Sequence, residues 1–167
     1  MQLFSGIFPI CYGQFYFFTN KDWNGDLRAS FSEQNNGLCG VTNKGSVFFI
    51  TGLHTGNITL SIDFYETEPE IDFSQDEIVE ASFSVGNDAA WLEAWGGELK
   101  KELNLPIGDY KIRYYAKDFG LAEEHGDFEE GNIEFYKIDI WPSKIAEDKI
   151  IKITSEMAKY WHNELGK

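Results

Sequence analysis

Cysteine, basic residues, long apolar runs and catalytic signatures are all scarce in this 167-residue chain, and each scarcity excludes something. Cys11 and Cys39 are too few for the disulfide framework of a small secreted module. They read as two buried thiols in a reducing compartment, with a single bridge between them as the other reading. Lys and Arg number 14 against 28 Asp and Glu, a net charge of −14. The basic face that nucleic acid or an anionic membrane demands is therefore missing. No run approaches the ~20 apolar residues of a membrane span. The apolar opening from Met1 to Phe18 is broken by Pro9, Gly13 and Gln14 and has no basic flank, so it does not read as a secretory leader. The expected location is the cytoplasm. HExxH, paired CxxC, GxSxG and phosphate-loop patterns are absent, and His54, His125 and His162 have no metal-ligand spacing. No catalytic residue, metal ligand or cofactor is assigned, and the chain reads as a non-enzyme.

What is present is enough apolar material for a packed core. Hydrophobic residues make up 43% of the chain and aromatics 16%. A chain of this length buries about 70% of its unfolded surface without needing a metal or disulfide staple. No repeat, linker or low-complexity tract interrupts it, so residues 1–167 read as one domain. Period-two alternation of aromatic and β-branched residues dominates, bounded by Gly, Asn and Asp. Candidate strands are 10–19, 27–32, 46–51, 57–65, 78–85, 99–105, 110–116, 133–141 and 149–153. The clearest is 57–65, where Ile58, Leu60, Ile62 and Phe64 oppose Thr59, Ser61 and Asp63. About eight to nine short strands predict a mainly β fold, an antiparallel sandwich or a closed barrel. One C-terminal helix is expected over about 155–165. Thr154 or Ser155 caps it, Met157, Tyr160, Trp161 and Leu165 form its stripe, and Gly166 stops it.

The negative charge is local. Residues 1–60 carry three acids and three bases, whereas residues 61–100 carry eleven acids and one base. One cluster comprises Asp63, Glu66, Glu68, Glu70, Asp72, Asp76, Glu77 and Glu80, around Pro69. A second comprises Asp118, Glu123, Glu124, Asp127, Glu129 and Glu130, in a Gly-punctuated loop. Acidic loops keep a protein soluble, and like-signed clustering also draws in and selects a basic protein partner. The candidate partner-binding residues are Glu66, Glu68, Glu70, Asp72, Asp76, Glu77, Glu123, Glu124, Asp127, Glu129 and Glu130. Trp91 and Trp95, beside Gly96-Gly97, are added as an interface hot spot. A calcium- or ligand-binding module is the alternative. Asn20-Lys21-Asp22-Trp23-Asn24-Gly25 copies the start of an EF-hand loop but has Phe31 where the bidentate Glu belongs.

Several segments together resemble the competence protein J type of nuclease inhibitor. They are Tyr12-Gly13-Gln14-Phe15, Trp23, and Leu103-Asn104-Leu105-Pro106-Ile107-Gly108-Asp109-Tyr110 leading into a strand. Tyr136-Lys137-Ile138-Asp139-Ile140-Trp141-Pro142 and the closing Thr154-Ser155 with Tyr160-Trp161-His162 are similar to related uncharacterised bacterial proteins. The resemblance implies a cytoplasmic β-sandwich protein that blocks a nuclease, or an immunity protein against a toxin. It carries over no catalytic residue.

Overall fold

Strict alternation sets β5 (Gly56–Phe64) of the first sheet in the computed structural model, which describes residues 1–19, 25–43, 45–121 and 134–167. In β5, Ile58, Leu60 and Ile62 are buried while Thr59, Ser61 and Asp63 lie on the other face. β1 (Gln2–Ile10) pairs antiparallel with β5 on one side, and β10 (Phe135–Pro142) pairs with it in parallel on the other. β9 (Gly108–Lys117), β6 (Glu77–Val85) and β11 (Lys149–Lys152) extend the sheet antiparallel, giving the order β1-β5-β10-β9-β6-β11. The second sheet is antiparallel throughout. Its order is β3 (Cys39–Gly40), β4 (Ser46–Ile50), β2 (Gln14–Phe18), β7 (Trp91–Ala94) and β8 (Lys100–Glu102).

The chain passes between the sheets through a tight turn. Cys11 bridges to Gln14, and Tyr12 and Gly13 between them both have positive φ, 59° and 64°. Two positive-φ residues in a row match the twist of flanking strands, and only the second of them is a glycine. Aromatic rings then join the two sheets. Phe15 stacks on Phe49 at 4.7 Å, Tyr114 lies 5.0 Å from Phe49, and Tyr136 stacks on Tyr114 at 5.7 Å. The Tyr114 hydroxyl, on β9, donates to the Ile50 carbonyl of β4 at 2.9 Å. Burial of that ring raises its pKa well above the ordinary tyrosine value.

Several sequence expectations are corrected here. Among the described residues there are eleven strands rather than eight or nine, and the β5–β10 pair is parallel, so the sheets are not antiparallel throughout. Residues 27–32 are not a strand. Leu27–Phe31 form a short helix, α1, in which Asp26 Oδ1 accepts from the Ala29 amide at 3.0 Å. Leu27 and Phe31 are i and i+4, a helical spacing carried over too few residues to register as a period. β1, β3 and β7 lie outside the predicted set, and 99–105 shrinks to Lys100–Glu102. Cys11 and Cys39 are both free, the first half-buried and the second buried.

The C-terminal helix, α2 (Glu156–Leu165), starts as its sequence indicates. Ser155 Oγ accepts from the Ala158 amide at 3.1 Å, and the Gly166 amide donates to the His162 carbonyl. Met157, Trp161 and Leu165 pack on the core, but Tyr160 points to solvent; Ala158 and His162 are the buried members. Gly37 lets the helix approach, since a Cβ there would sit 2.0 Å from the Trp161 carbonyl oxygen. The Gly37 amide donates to His162 Nδ1 at 3.0 Å. The loop before it is held by buried Asp148, which accepts from the Asn35 amide at 3.0 Å and the Asn36 amide at 2.7 Å. Asn36 Nδ2 donates to the same carboxylate at 2.7 Å.

Candidate functional site

The first acidic segment leaves the end of β5 and returns at β6, and burial sorts its carboxylates into two kinds. Glu66 and Glu70 are exposed. Asp72 folds its segment on itself, accepting from the Ser74 amide and hydroxyl at 3.0 and 2.6 Å and from Gln75 Nε2 at 2.9 Å. The Ser74 and Gln75 bonds hold its carboxyl down to about 2. Asp76 accepts from the Asp118 amide at 2.9 Å. Glu77 is 1% exposed and turns inward, accepting from the Thr154 and Ser155 amides at 3.0 and 2.7 Å at the approach to α2. Burial pushes its carboxyl up, against those bonds. Glu77 is therefore a buried structural group in the described fold, not part of an exposed binding surface.

Glu68 is anchored rather than free. Arg113, on β9, is fully buried and spreads its donors over three acceptors: Nε to Glu80 Oε1 at 2.7 Å, one terminal nitrogen to the Pro69 carbonyl and the other to Glu68 Oε1, both at 2.8 Å. Its guanidinium lies 4.8 Å from the centre of the Trp141 ring. Buried Glu80 also receives Lys149 at 3.0 Å and Lys111 at 3.7 Å. Removing a cation from water costs several kcal/mol, which only good geometry and near-complete hydrogen bonding offset. This geometry straps the acidic segment to the sheet and holds Glu66 and Glu70 outward on either side of the tether.

Cross-strand register extends the anchor into a single polar row. Gln2, Asp63, Asp139, Arg113, Glu80 and Lys149 are successive Cα partners, one from each strand of the first sheet. Burial pushes the Asp139 carboxyl up, offset by Lys137 at 3.1 Å. Nothing in a linear reading marks Arg113; the signal is that Glu80 and Asp139 fall opposite it on the neighbouring strands. Glu134 was missed in the same way. It is buried, accepting from the Leu53 and Gly120 amides at 2.8 Å and from the Tyr136 hydroxyl.

The aromatic candidates lie on the second sheet. Trp91 is half-buried, with Lys100 Nζ 5.1 Å from its ring centre and 3.2 Å from Glu93. Trp95 is 40% exposed and stands against Tyr12, centroid to centroid 4.8 Å, with His54 5.5 Å from Tyr12. Glu123, Glu124, Asp127, Glu129 and Glu130, together with His125 and residues 20–24, lie outside the described residues. Among the described residues no group of three or more His, Cys, Asp or Glu is placed to hold a metal ion, so the calcium alternative finds no site there. No described helix is long and apolar enough to cross a membrane.

No protein-family model matches the chain, and neither does any curated protein. Two solved structures share its fold. ComJ from Bacillus subtilis, described as an inhibitor of the DNA-degrading activity of NucA, is 18% identical and superposes with a TM-score of 0.57, covering 86% of this chain and 98% of ComJ. The product of crocagin biosynthetic gene J is 14% identical with a TM-score of 0.54, covering 84% of this chain and 96% of its own. The resemblance read from the turn-and-strand segments thus holds at the level of fold.

Proposed function

We propose that this protein is a non-enzymatic inhibitor, an immunity-type protein that binds a basic nuclease or toxin in the cytoplasm and blocks it. The observation that carries the reading is the fold shared with ComJ over 86% of the chain. The charge pattern gives it a mechanism. Eleven acids against one base between residues 61 and 100 form a field that speeds encounter with a basic cleft and disfavours acidic partners. Glu66, Glu68 and Glu70 are exposed carboxylates of the described acidic segment, Glu68 being tethered to Arg113, Asp72 shapes the segment, and Trp95 offers an aromatic anchor. Glu123, Glu124, Asp127, Glu129 and Glu130 are proposed to extend the same surface.

The test is a DNA-degradation assay with a purified nuclease encoded next to the gene for this chain. Stoichiometric addition should abolish cleavage. Glu66→Lys with Glu70→Lys should slow association ~10-fold or more at low salt, with the difference shrinking as salt rises. Cleavage that continues unaffected by the intact protein, or inhibition indifferent to both charge reversal and salt, overturns the reading.

A further inference from the structure

An open sheet edge invites another strand, and native proteins blunt such edges with charge, brevity, bulges or cover. Three of the four edges described here follow that rule. β3 is two buried residues against α1. β8 is Lys100-Lys101-Glu102, short and charged. β11 is four residues with Lys149 and Lys152 and a register shift between Ile150 and Lys152. β1 differs: it has nine residues and no charged side chain, and its register shift and Pro9 lie toward its two ends, leaving Ser5 to Ile7 unprotected between them.

The hydrogen-bonding direction along β1 follows from its neighbour. The Phe64 amide donates to the Met1 carbonyl, while the Thr59 and Tyr65 amides donate to Glu134 and Ile140 on the β10 side. Even-numbered residues of β5 thus address β1, and odd-numbered ones address β10. Through the register Phe4–Ile62, Gly6–Leu60 and Phe8–Ile58, the even residues of β1 face β5. Ser5, Ile7 and Pro9 therefore turn their backbone groups outward, and among the described residues no strand receives them. Pro9 fits there because its nitrogen, which has no hydrogen to donate, falls on the open side. Pro9 at one end and the register shift between Gln2 and Phe4 at the other confine the open ladder to Ser5, Gly6 and Ile7.

We propose that this edge joins two copies of the chain, antiparallel about a two-fold axis at Gly6. In that register Ser5 of each copy exchanges both backbone bonds with Ile7 of the other, about four bonds in all. Gly6 then faces Gly6 across the close, non-bonded position, where neither has a side chain and the space around a Cβ is empty. Ile7 is 51% exposed and shares a row with Thr59 and with Phe135, itself 43% exposed. Across the axis, the two Ile7 side chains become diagonal neighbours on one face. Charge argues for a second copy as the occupant. Each chain carries −14, but residues 1–60 are balanced and β1 is uncharged, so like can meet like here without opposed carboxylates.

Sedimentation equilibrium of the full chain from ~10 μM to ~1 mM tests this. The mass should climb from 19.1 kDa toward twice that value, with amide exchange at Ser5 and Ile7 slowing as concentration rises. Ile7→Lys should hold the protein monomeric across the range. Ser5→Pro, which removes one outward N–H and no bond to β5, should weaken association at least ~10-fold. Ile107→Lys, at an even more exposed apolar position in the turn before β9, should leave it unchanged. A mass that stays at 19.1 kDa, as it would if the edge served a strand of another protein, overturns the proposal, and so does a dimer that survives both β1 variants.

Discussion

Residues 66–72 and residues 34–37 are both irregular segments pinned by a single buried charge, and the two pins work in opposite ways. Arg113 is fixed in the sheet by sealed Glu80 and holds the first through the Pro69 carbonyl and Glu68, which stands 59% open to water. Asp148 holds the second almost entirely through N–H groups of Asn35 and Asn36, with His162 close by. Water and salt reach one side of the Arg113 pin, so the segment it holds stays responsive at its outer rim. The Asp148 pin is largely buried, and beside it the Gly37 amide donates to a ring nitrogen of His162, so acid acting on that histidine rather than salt is what disturbs this side. The outward-facing acids of the proposed binding surface are attached to the responsive pin.

The largest break in this comparison is Arg113→Met. It leaves Glu80 buried with only two lysines and frees the Pro69 carbonyl, so urea unfolding should show a loss of about 3–5 kcal/mol. Faster amide exchange should be confined to residues 66–72 beyond the global change, with residues 34–37 following the global change alone. A loss below ~1 kcal/mol would mean that the ion pairs of Glu80 and Glu68 are not what holds the segment.

Acid separates the pins next. Burial pushes the His162 imidazole down to about 4, with Asp148 pulling the other way. The unfolded chain takes up this proton near pH 6.5, and the fold resists it until about 4. Stability is therefore complete above pH 6.5 and declines toward pH 4, by about 3 kcal/mol for this group. Glu77 and Asp139, whose carboxyls are raised, act in the opposite sense as pH falls. The difference between wild type and His162→Gln isolates the histidine, and equal slopes for the two proteins between pH 6.5 and 4 would remove it as the cause. The smallest effect is Glu68→Gln. It strips the exposed partner from Arg113 while Glu80 remains, so thermal melts should report a stability loss of less than ~1 kcal/mol and lose their salt dependence at this site.

Much of the fold was legible where one face of a strand is apolar and the other polar. Ile58, Leu60 and Ile62 announced β5, and Ser155 with Gly166 bracketed α2. β1 was illegible because Leu3, Phe4, Ile7, Phe8 and Ile10 place apolar residues on both faces of an edge strand. The parallel β5–β10 pair has no local signature, since its partners are far apart in sequence. For the candidate surface, acidity itself was readable, but inward and outward carboxylates were not. Glu66 and Glu77 look alike in sequence, and only the Thr154 and Ser155 amides distinguish the second. Asn-Gly pairs favour turns in any context, so nothing local shows that Gly37 is needed for the approach of Trp161.

The strand order of the first sheet has a consequence for assembly. β10 lies between β5 and β9, and it joins a β1–β5 pair to a β9–β6 pair. Each of those pairs is complete before residue 135 leaves the ribosome, yet neither can meet the other until then. Closure across β10 is a long-range event, and such events are slow because loop entropy is lost before any contact compensates. The last fifth of the sequence therefore carries the strand that joins the two half-sheets, and pairing across it is expected to be the slow step in forming the first sheet.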